Sequence, residues 1–324
     1  MNKLYLITGA TGHVGTILTN ELLKRNEKIR ALVIDGQEKD LPEEVEAVIG
    51  DITDRDSLKA FFDTGEYDKV TLIHLAAMVS IASKNSPALY DVNVNGTVNV
   101  MELALESSVD RVIYISSVHA IPEKPKGKVI TEVNSFNPTS VHGDYAKTKA
   151  MAAQIALDYA KRGLNVSVIH PSGVIGPGDR YHKNHMIRTI RAIKSGLISM
   201  GIKGGYDFVD SRDVAEGILE CEENGKIGEC YILNGHYISI LDIVNIVRKN
   251  AGKRLTHLEV PFFLAKAFAP LAEKLTTLFS RKAPIFTPYS VYTLQSNSIF
   301  SHEKALRDFG YRPRSIAETV IASL

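Results

Sequence analysis

The 324-residue sequence predicts an α/β fold in which a doubly wound parallel sheet carries a smaller, mainly helical lobe. Three observations lead to it. Short β-branched runs alternate with helix-length segments from residue 4 to about 170. The runs are apolar on both alternating positions, as strands covered on two faces must be. The first run passes directly into a glycine-rich turn, Thr8-Gly9-Ala10-Thr11-Gly12-His13-Val14-Gly15, that opens a helix.

In chain order, the strands are expected at 4–8, 29–34, 47–49, 70–75, 111–115 and 165–170, with helices at 14–25, 54–62, 88–107 and 145–162. This is the β-α-β repeat of a Rossmann-type sheet. After Pro171 the texture changes to a turn-rich stretch with Gly173, Gly176, Pro177 and Gly178, then a basic, His-bearing segment up to Arg191. Segments 206–209 and 230–233 read as later strands that extend the parallel sheet, with a helix at 211–222 between them. Residues 1–170, joined by 206–234, therefore form the nucleotide-binding Rossmann domain. Residues 171–205 and 235–324 form the substrate lobe, in which helices dominate beyond Gly235.

Composition narrows the function. Apolar residues make up 44% and charged residues 23%, ordinary for a globular chain, and a net charge of +1 gives no bulk attraction to nucleic acid. Cys221 and Cys230 sit in no CxxC or His-rich cluster, so neither a disulfide framework nor a zinc site is expected, and a reducing, cytoplasmic setting follows. The apolar start at residues 4–7 is too short for a signal peptide, and no run of about 20 apolar residues exists to insert stably in a bilayer. The most apolar stretch, 260–279, is broken by Lys266, Glu273, Lys274 and two prolines. It reads as a helical segment covering a pocket, with an interfacial membrane contact as the alternative.

The glycine loop implies a dinucleotide. Gly9 permits the tight turn, Gly12 lets backbone approach a pyrophosphate, and Gly15 lets the helix pack close to the strand. The amides of residues 12–15, with Thr11, His13 and Val14 beside them, then face the phosphates at a positive dipole end. Asp35 lies 20 residues after Gly15 at the tip of the second strand, where a carboxylate bonds a ribose 2′-hydroxyl. With no Arg at that tip, the cofactor NAD(P) reads as NAD. The alternative is that Asp35 merely begins a turn with Gly36. Asp51, ahead of Ile52, suits the adenine edge or else initiates a helix.

Tyr145 and Lys149 are one helical turn apart, so both can point into one cleft. A phenol titrates near pH ~10, and a neighbouring ammonium would favour the phenolate and make it a proton carrier. Lys149 would also hold the nicotinamide ribose. Alone, such a pair is commonplace on exposed helices. The strand 111–115 nevertheless ends in Ser116 and Ser117, at the carboxyl edge where parallel sheets bind ligands. Ser117 is the candidate to polarise a substrate oxygen, and Ser116 is its rival.

With these motifs in this order, the chain resembles the extended short-chain dehydrogenase/reductase family over nearly its whole length. Asp51-Ile52 looks like the adenine-contacting pair, and His74-Leu75-Ala76-Ala77 like the fourth-strand cofactor motif. Asn93-Val94-Asn95-Gly96-Thr97 is similar to the helix start whose Asn supports the active site and a water relay. His170-Pro171-Ser172-Gly173-Val174-Ile175-Gly176-Pro177 resembles the loop that brings Pro171 and Val174 to the nicotinamide. The resemblance implies a Ser117, Tyr145, Lys149 and Asn93 catalytic set and hydride transfer between nicotinamide and a ketone or secondary alcohol.

Within the family, Gly205-Tyr206-Asp207-Phe208-Val209-Asp210 and the ending near Gly310-Tyr311-Arg312-Pro313 look most like the dihydroflavonol-reductase and 3β-hydroxysteroid-dehydrogenase branch, whose substrates are apolar ring compounds. Ser117-Val118-His119 stands where sugar-nucleotide dehydratases carry Thr-Asp-Glu, which argues against water elimination. A sugar-nucleotide epimerase stays open. A non-catalytic NAD(P)-sensing regulator is a third class, disfavoured by the Tyr-Lys pair.

His119, His142, His182 and His185 are expected around the cleft as rim or surface residues. His182 and His185 lack a neighbouring carboxylate or third ligand, so no metal is expected. The cluster of Arg180, His182, Lys183, His185, Arg188 and Arg191 suits a diphosphate or simply a solvated face. Phe262, Phe263, Phe268 and Phe279 suit a pocket lining or plain core packing. The resemblance also implies a homodimer through the helix after residue 88 and the Tyr145 helix, where Ala150, Ala152, Ala153, Ala156 and Ala160 suit close packing between chains or within one.

Overall fold

The computed structural model describes residues 2–65, 67–80, 87–180, 184–279 and 287–324. The strands are β1 (Lys3–Thr8), β2 (Lys28–Val33), β3 (Glu46–Ile49), β4 (Lys69–His74), β5 (Arg111–Ile115), β6 (Val166–Pro171), β7 (Gly173–Ile175), β8 (Gly201–Ile202), β9 (Gly205–Asp210), β10 (Cys230–Leu233), β11 (His236–Ser239) and β12 (Glu259–Val260). The helices are α1 (His13–Lys24), α2 (Pro87–Tyr90), α3 (Gly96–Glu106), α4 (Asp144–Lys161), α5 (His185–Ser195), α6 (Ser211–Asn224), α7 (Ile240–Asn250), α8 (Phe262–Phe279), α9 (Pro288–Thr293), α10 (Glu303–Phe309) and α11 (Ile316–Ala322).

Seven strands form the main sheet in the order β10-β6-β5-β4-β1-β2-β3, every pair parallel. The order reverses between β1 and β4, the crevice where doubly wound sheets take ligands. Alternate residues of each strand serve opposite faces. Leu4, Leu6, Leu72, Val112 and Val166 pack with α3 and α4, whereas Tyr5, Ile7, Ile73, Ile113 and Ile169 pack with α1 and α6. Two-sided burial is why these strands are continuously apolar.

Three expectations change. Residues 54–62 do not form an α-helix. Asp54 caps Asp56 N, and only a 3-10 turn at Arg55–Leu58 follows. Of the later strands, β10 joins the main sheet, but β9 pairs with β7 and β11 in a second, three-stranded sheet. That sheet shares its own core with α5 and α7, around Phe208, Ile190, Ile243 and Val244. Segment 88–107 is helical but irregular, with a π-turn at Asp91–Asn95 between α2 and α3.

The aromatic residues of α8 are corrected most. Phe263 and Phe268 are 68% and 59% exposed, so they fill neither a pocket nor a core. Phe262 is half-buried against Ala265, Ala269 and Val291, while the Phe279 side chain lies outside the described residues. Ala150, Ala152, Ala153 and Ala156 are fully buried within the single chain, where α4 packs on the sheet and α3. No helix among the described residues is long and apolar enough to cross a membrane.

Candidate active site

The glycine loop sits at the carboxyl end of β1, against the first residues after β4. Gly9 has φ +75°, and a Cβ there would lie 2.8 Å from Ala76 N. A Cβ on Gly15 would overlap the Gly9 carbonyl. Both positions therefore require glycine. Thr8 Oγ1 accepts from Ala76 N at 3.1 Å and holds the loop to the strand beside it. Gly12 precedes α1 without a side-chain cap, so the helix opens on bare backbone. This close-set backbone cradle fits a pyrophosphate.

The surrounding candidates differ in what else they do. Thr11 Oγ1 donates to Gln37 Oε1 at 3.0 Å, joining the loop to the turn after β2. His13 lies 3.2 Å from the Gly176 carbonyl and 3.3 Å from Asn184 Nδ2, and so ties the loop to the other lobe. Because an amide Nδ2 only donates, the His13 Nδ1 accepts and its Nε2–H donates. Burial lowers its pKa. Val14, Leu75, Ala76, Ala77 and Val174 are half-buried around the crevice, and Pro171 is buried at the end of β6. Asp35 is exposed at the tip of β2, next to Gly36 at φ +82°. Asp51 Oδ1 accepts from Thr53 N and Oγ1, both at 2.8 Å, while Ile52 is buried under Gly96.

Ser117, Tyr145, Lys149 and Asn93 are brought together by β5, α4 and the π-turn. The Tyr145 phenol faces the Ser117 side chain, whose Oγ accepts from His119 N at 3.2 Å. The rival Ser116 Oγ instead faces the Lys149 carbonyl at 3.5 Å. Burial pushes the Tyr145 phenol up to about 12, with the neighbouring Ser117 hydroxyl acting against it. Lys149 departs from expectation. Its Nζ donates to the Ile115 carbonyl at 2.7 Å and to Tyr114 Oη at 3.2 Å, and burial lowers its pKa to about 7. Burial therefore favours the protonated phenol of Tyr145, while the Lys149 amine is held at β5.

Asn93 is buried and fully used. Its Oδ1 accepts from Met78 N at 2.8 Å, and its Nδ2 donates to Met78 O at 3.0 Å and Thr148 Oγ1 at 3.1 Å. It clamps the segment after β4 to α4 one residue from Lys149. Below lies a buried polar chain. His74 Nδ1 is 2.6 Å from Thr8 Oγ1, His74 Nε2 is 3.3 Å from Thr97 Oγ1, and Thr97 donates to the Asn93 carbonyl at 2.8 Å. Burial pushes His74 down to about 3, so it is neutral. His170, likewise neutral, holds the Ser117 carbonyl at 3.0 Å through Nδ1.

Beside Tyr145 opens a cavity of about 300 Å³. His119 forms its inner wall, 6.0 Å from the Tyr145 ring between centroids and stacked on Tyr206 at 5.8 Å. The hydroxyls of Tyr206 and Tyr289 each lie 3.3 Å from a different His119 nitrogen. His119 is thus a half-buried wall residue, pushed down to about 4 by desolvation, rather than a rim residue. His142 also lines the cavity and His185 is half-buried, but His182 lies outside the described residues. Arg180 is engaged with the Asp40 carbonyl at 2.8 Å. Among the described residues no cluster of His, Cys, Asp or Glu could hold a metal ion.

Tyr206, Tyr289, Tyr292 and Glu123 are site residues that the motifs did not single out for this role. Tyr289 comes from α9, 144 positions after Tyr145, and no local spacing announces it. The one clue is Gly143 ahead of α4, at φ +92°, where a Cβ would lie 2.7 Å from the Tyr289 ring.

Comparison with known proteins agrees with this fold. Residues 5–233 match the NAD dependent epimerase/dehydratase family. The chain is 32% identical to sterol demethylase protein B of Methylococcus capsulatus, over 96% of this chain and 94% of the relative. It is 29% identical to a putative dihydroflavonol 4-reductase of Synechocystis, over 99% and 93%. The crystal structure of gox2253 superposes with a TM-score of 0.82 at 29% identity, covering 100% of this chain and 97% of that one. The match over residues 5–233 and the near full-length relatives lead to one conclusion: the chain belongs to the NAD dependent epimerase/dehydratase family, the extended short-chain dehydrogenases/reductases.

Proposed function

We propose that this protein interconverts a ketone and a secondary alcohol, with Tyr145 moving the proton, Ser117 polarising the substrate oxygen and Lys149 holding the nicotinamide ribose. The observation that carries this reading is the placement of the Tyr145 phenol by Ser117, with its ring 6.0 Å from that of His119 on the wall of the cavity. The cradle from Gly9 to Gly15 would hold NAD, which accepts or delivers the hydride when bound. Tyr145, protonated at neutral pH, is ready to donate to a carbonyl oxygen. Ser117 helps by donating to the same oxygen as charge develops. In the oxidative direction the phenol must first lose its proton, which a cationic nicotinamide nearby favours.

Ile121, Ile130, Val118 and Phe300 supply apolar wall beside the polar rings, which suits a ring compound with a few polar groups. The relatives named for sterol and dihydroflavonol chemistry support that class. In this reading 171–205 and most of 235–324 select the substrate, and a reducing cytoplasm keeps Cys221 and Cys230 as the free thiols they are. The test is NADH and NADPH oxidation against ring ketones, with Tyr145→Phe beside the parent. A fall of about 10²–10⁴ in kcat is expected, and an undiminished variant would overturn the mechanism.

A sugar-nucleotide epimerase is the second reading. Glu123, Thr139, Ser140 and Asn297 on the cavity wall favour it, since a sugar needs several polar partners. Turnover of a UDP-sugar without net change in NADH selects it.

A further inference from the structure

We propose that α8 and the chain edge beside it dock peripherally onto an anionic lipid bilayer. The starting point is an inverted helix. At about 100° per residue, Phe263, Leu264, Ala267, Phe268 and Leu271 share one continuous arc, and all five are exposed. The opposite arc is buried through Ala265 and Ala269, packed on Val291 of α9. A helix that served only the fold would bury its phenylalanines and expose its alanines. This one sets Ala265 and Ala269 against the protein and turns Phe263 and Phe268 outward.

The edge next to α8 continues the surface. Pairing of β12 with β8, together with the Gly201 N to Leu258 O hydrogen bond at 2.9 Å, sets residues 258–260 beside 201–202. Leu258 is 62% exposed there, and Leu197, just ahead of β8, is 84% exposed. A set of protruding apolar side chains of this size is unusual on a free surface.

Charge identifies the occupant. Segments 194–203 and 248–279 hold eight Lys and Arg against two Asp and Glu, a local +6 in a chain whose total is +1. Lys194, Lys253, Arg254, Lys266 and Lys274 are all exposed. Apolar side chains within a basic surround match an anionic headgroup layer above hydrocarbon. A second copy of the chain is disfavoured, because a two-fold contact through this face would set +6 against +6. The bulk charge gives no hint of membrane binding because the rest of the sequence compensates this patch.

The position has a functional corollary, which rests on the ketone reading above. The Val291 that receives α8 belongs to α9, whose Tyr289 and Tyr292 line the cavity. A docked molecule therefore holds its active-site cavity one short helix from the lipid, within reach of an apolar substrate dissolved there.

The experiment needs no turnover, so it stands or falls separately from that reading. The full chain is sedimented with phosphatidylcholine vesicles, alone or with about one-third phosphatidylglycerol, at low salt and at about 0.5 M. Binding to the anionic vesicles is expected to exceed that to neutral ones by about tenfold or more and to weaken with salt. Phe263→Ser with Phe268→Ser should lose about tenfold or more, with an unchanged melting temperature because both side chains are exposed. Lys253→Gln with Arg254→Gln should remove part of the salt dependence. The chain has no tryptophan, so Phe268→Trp provides a single indole emitter whose spectrum should shift to the blue on the anionic vesicles alone. Absence of sedimentation, an unshifted spectrum from the F268W variant, or undiminished binding by the double serine variant overturns the proposal. So does a dimer that the double serine variant dissociates without any vesicle binding.

Discussion

Burial governs the individual side chains of the site, and it does so in opposite senses. Tyr145 is pushed up to about 12 and Lys149 down to about 7, so the first keeps its proton and the second is ready to shed one. The lysine has a consequence for stability. An unfolded chain keeps the Lys149 proton to about pH 10, whereas the folded chain releases it near 7. Between these values the unfolded state binds more protons, so this residue makes stability rise with pH. We expect the denaturant midpoint to climb from about pH 7 to about 8.5, above which the buried thiols of Cys221 and Cys230, each pushed up to about 12, oppose it, and Lys149→Met to flatten that climb while stopping turnover. An equally steep slope in the variant would place the effect elsewhere. These residues were legible in the sequence because the chemistry demands particular types at fixed spacing: glycine where a Cβ meets backbone, Ser at a strand tip, Tyr and Lys one turn apart. The direction taken by the Lys149 amine was not, since Ile115 O and Tyr114 Oη become its partners only once β5 and α4 pack.

Among the elements, the π-turn at Asp91–Asn95 has the clearest mechanical role. An extra residue per turn is common at functional positions, and here it accompanies the clamp of Asn93 on Met78 and Thr148. Asn93→Ala removes the clamp on Met78 N and O, while Thr148 Oγ1 keeps the Tyr145 carbonyl at 2.9 Å, a loss of about 1–3 kcal/mol. We expect a lower urea midpoint and a raised KM for NADH, with Asn93→Asp recovering part of it; a variant with parental KM would limit Asn93 to folding. Gly15→Ala, whose Cβ overlaps the Gly9 carbonyl, should weaken NADH binding by about tenfold or more, as the crossing of α1 over β1 shifts. Fluorescence titration checks it. The strands were readable as runs because both faces are buried. The π-turn was not, for its composition is that of any helix. Nor was the orientation of α8, where the apolar periodicity cannot say which face the protein keeps.

At the scale of the molecule, four histidines make the fold sensitive to acid. His74 is depressed to about 3, and His119, His170 and His185 to about 4, each by burial. Unfolded histidine titrates near about 6.5. As pH falls through this interval the unfolded chain takes up protons that the folded one refuses, so stability is intact above about 6.5 and falls toward about 4. Cooperative loss of circular dichroism across that range is expected, with a slope corresponding to several protons. A transition taking up one proton or fewer would show that these rings are solvated. The main sheet was legible end to end, save that β9 leaves it for a second sheet. That partition rests on which strands find each other across the chain, as Gly173 of β7 and Phe208 of β9 do, and long-range pairing leaves no local trace.

The sheet order also sets a schedule for synthesis. β6 lies between β5 and β10, and Cys230 pairs with Val168, 62 positions earlier in the chain. A ribosome adding about 5–20 residues per second needs several seconds to cover that gap. Throughout this interval the nascent sheet shows an open hydrogen-bonding edge at β6, apolar on both faces. An edge of that kind pairs readily with strangers. The cell's risk of misassembly for this protein is therefore concentrated in one translational window, which closes when Leu233 emerges.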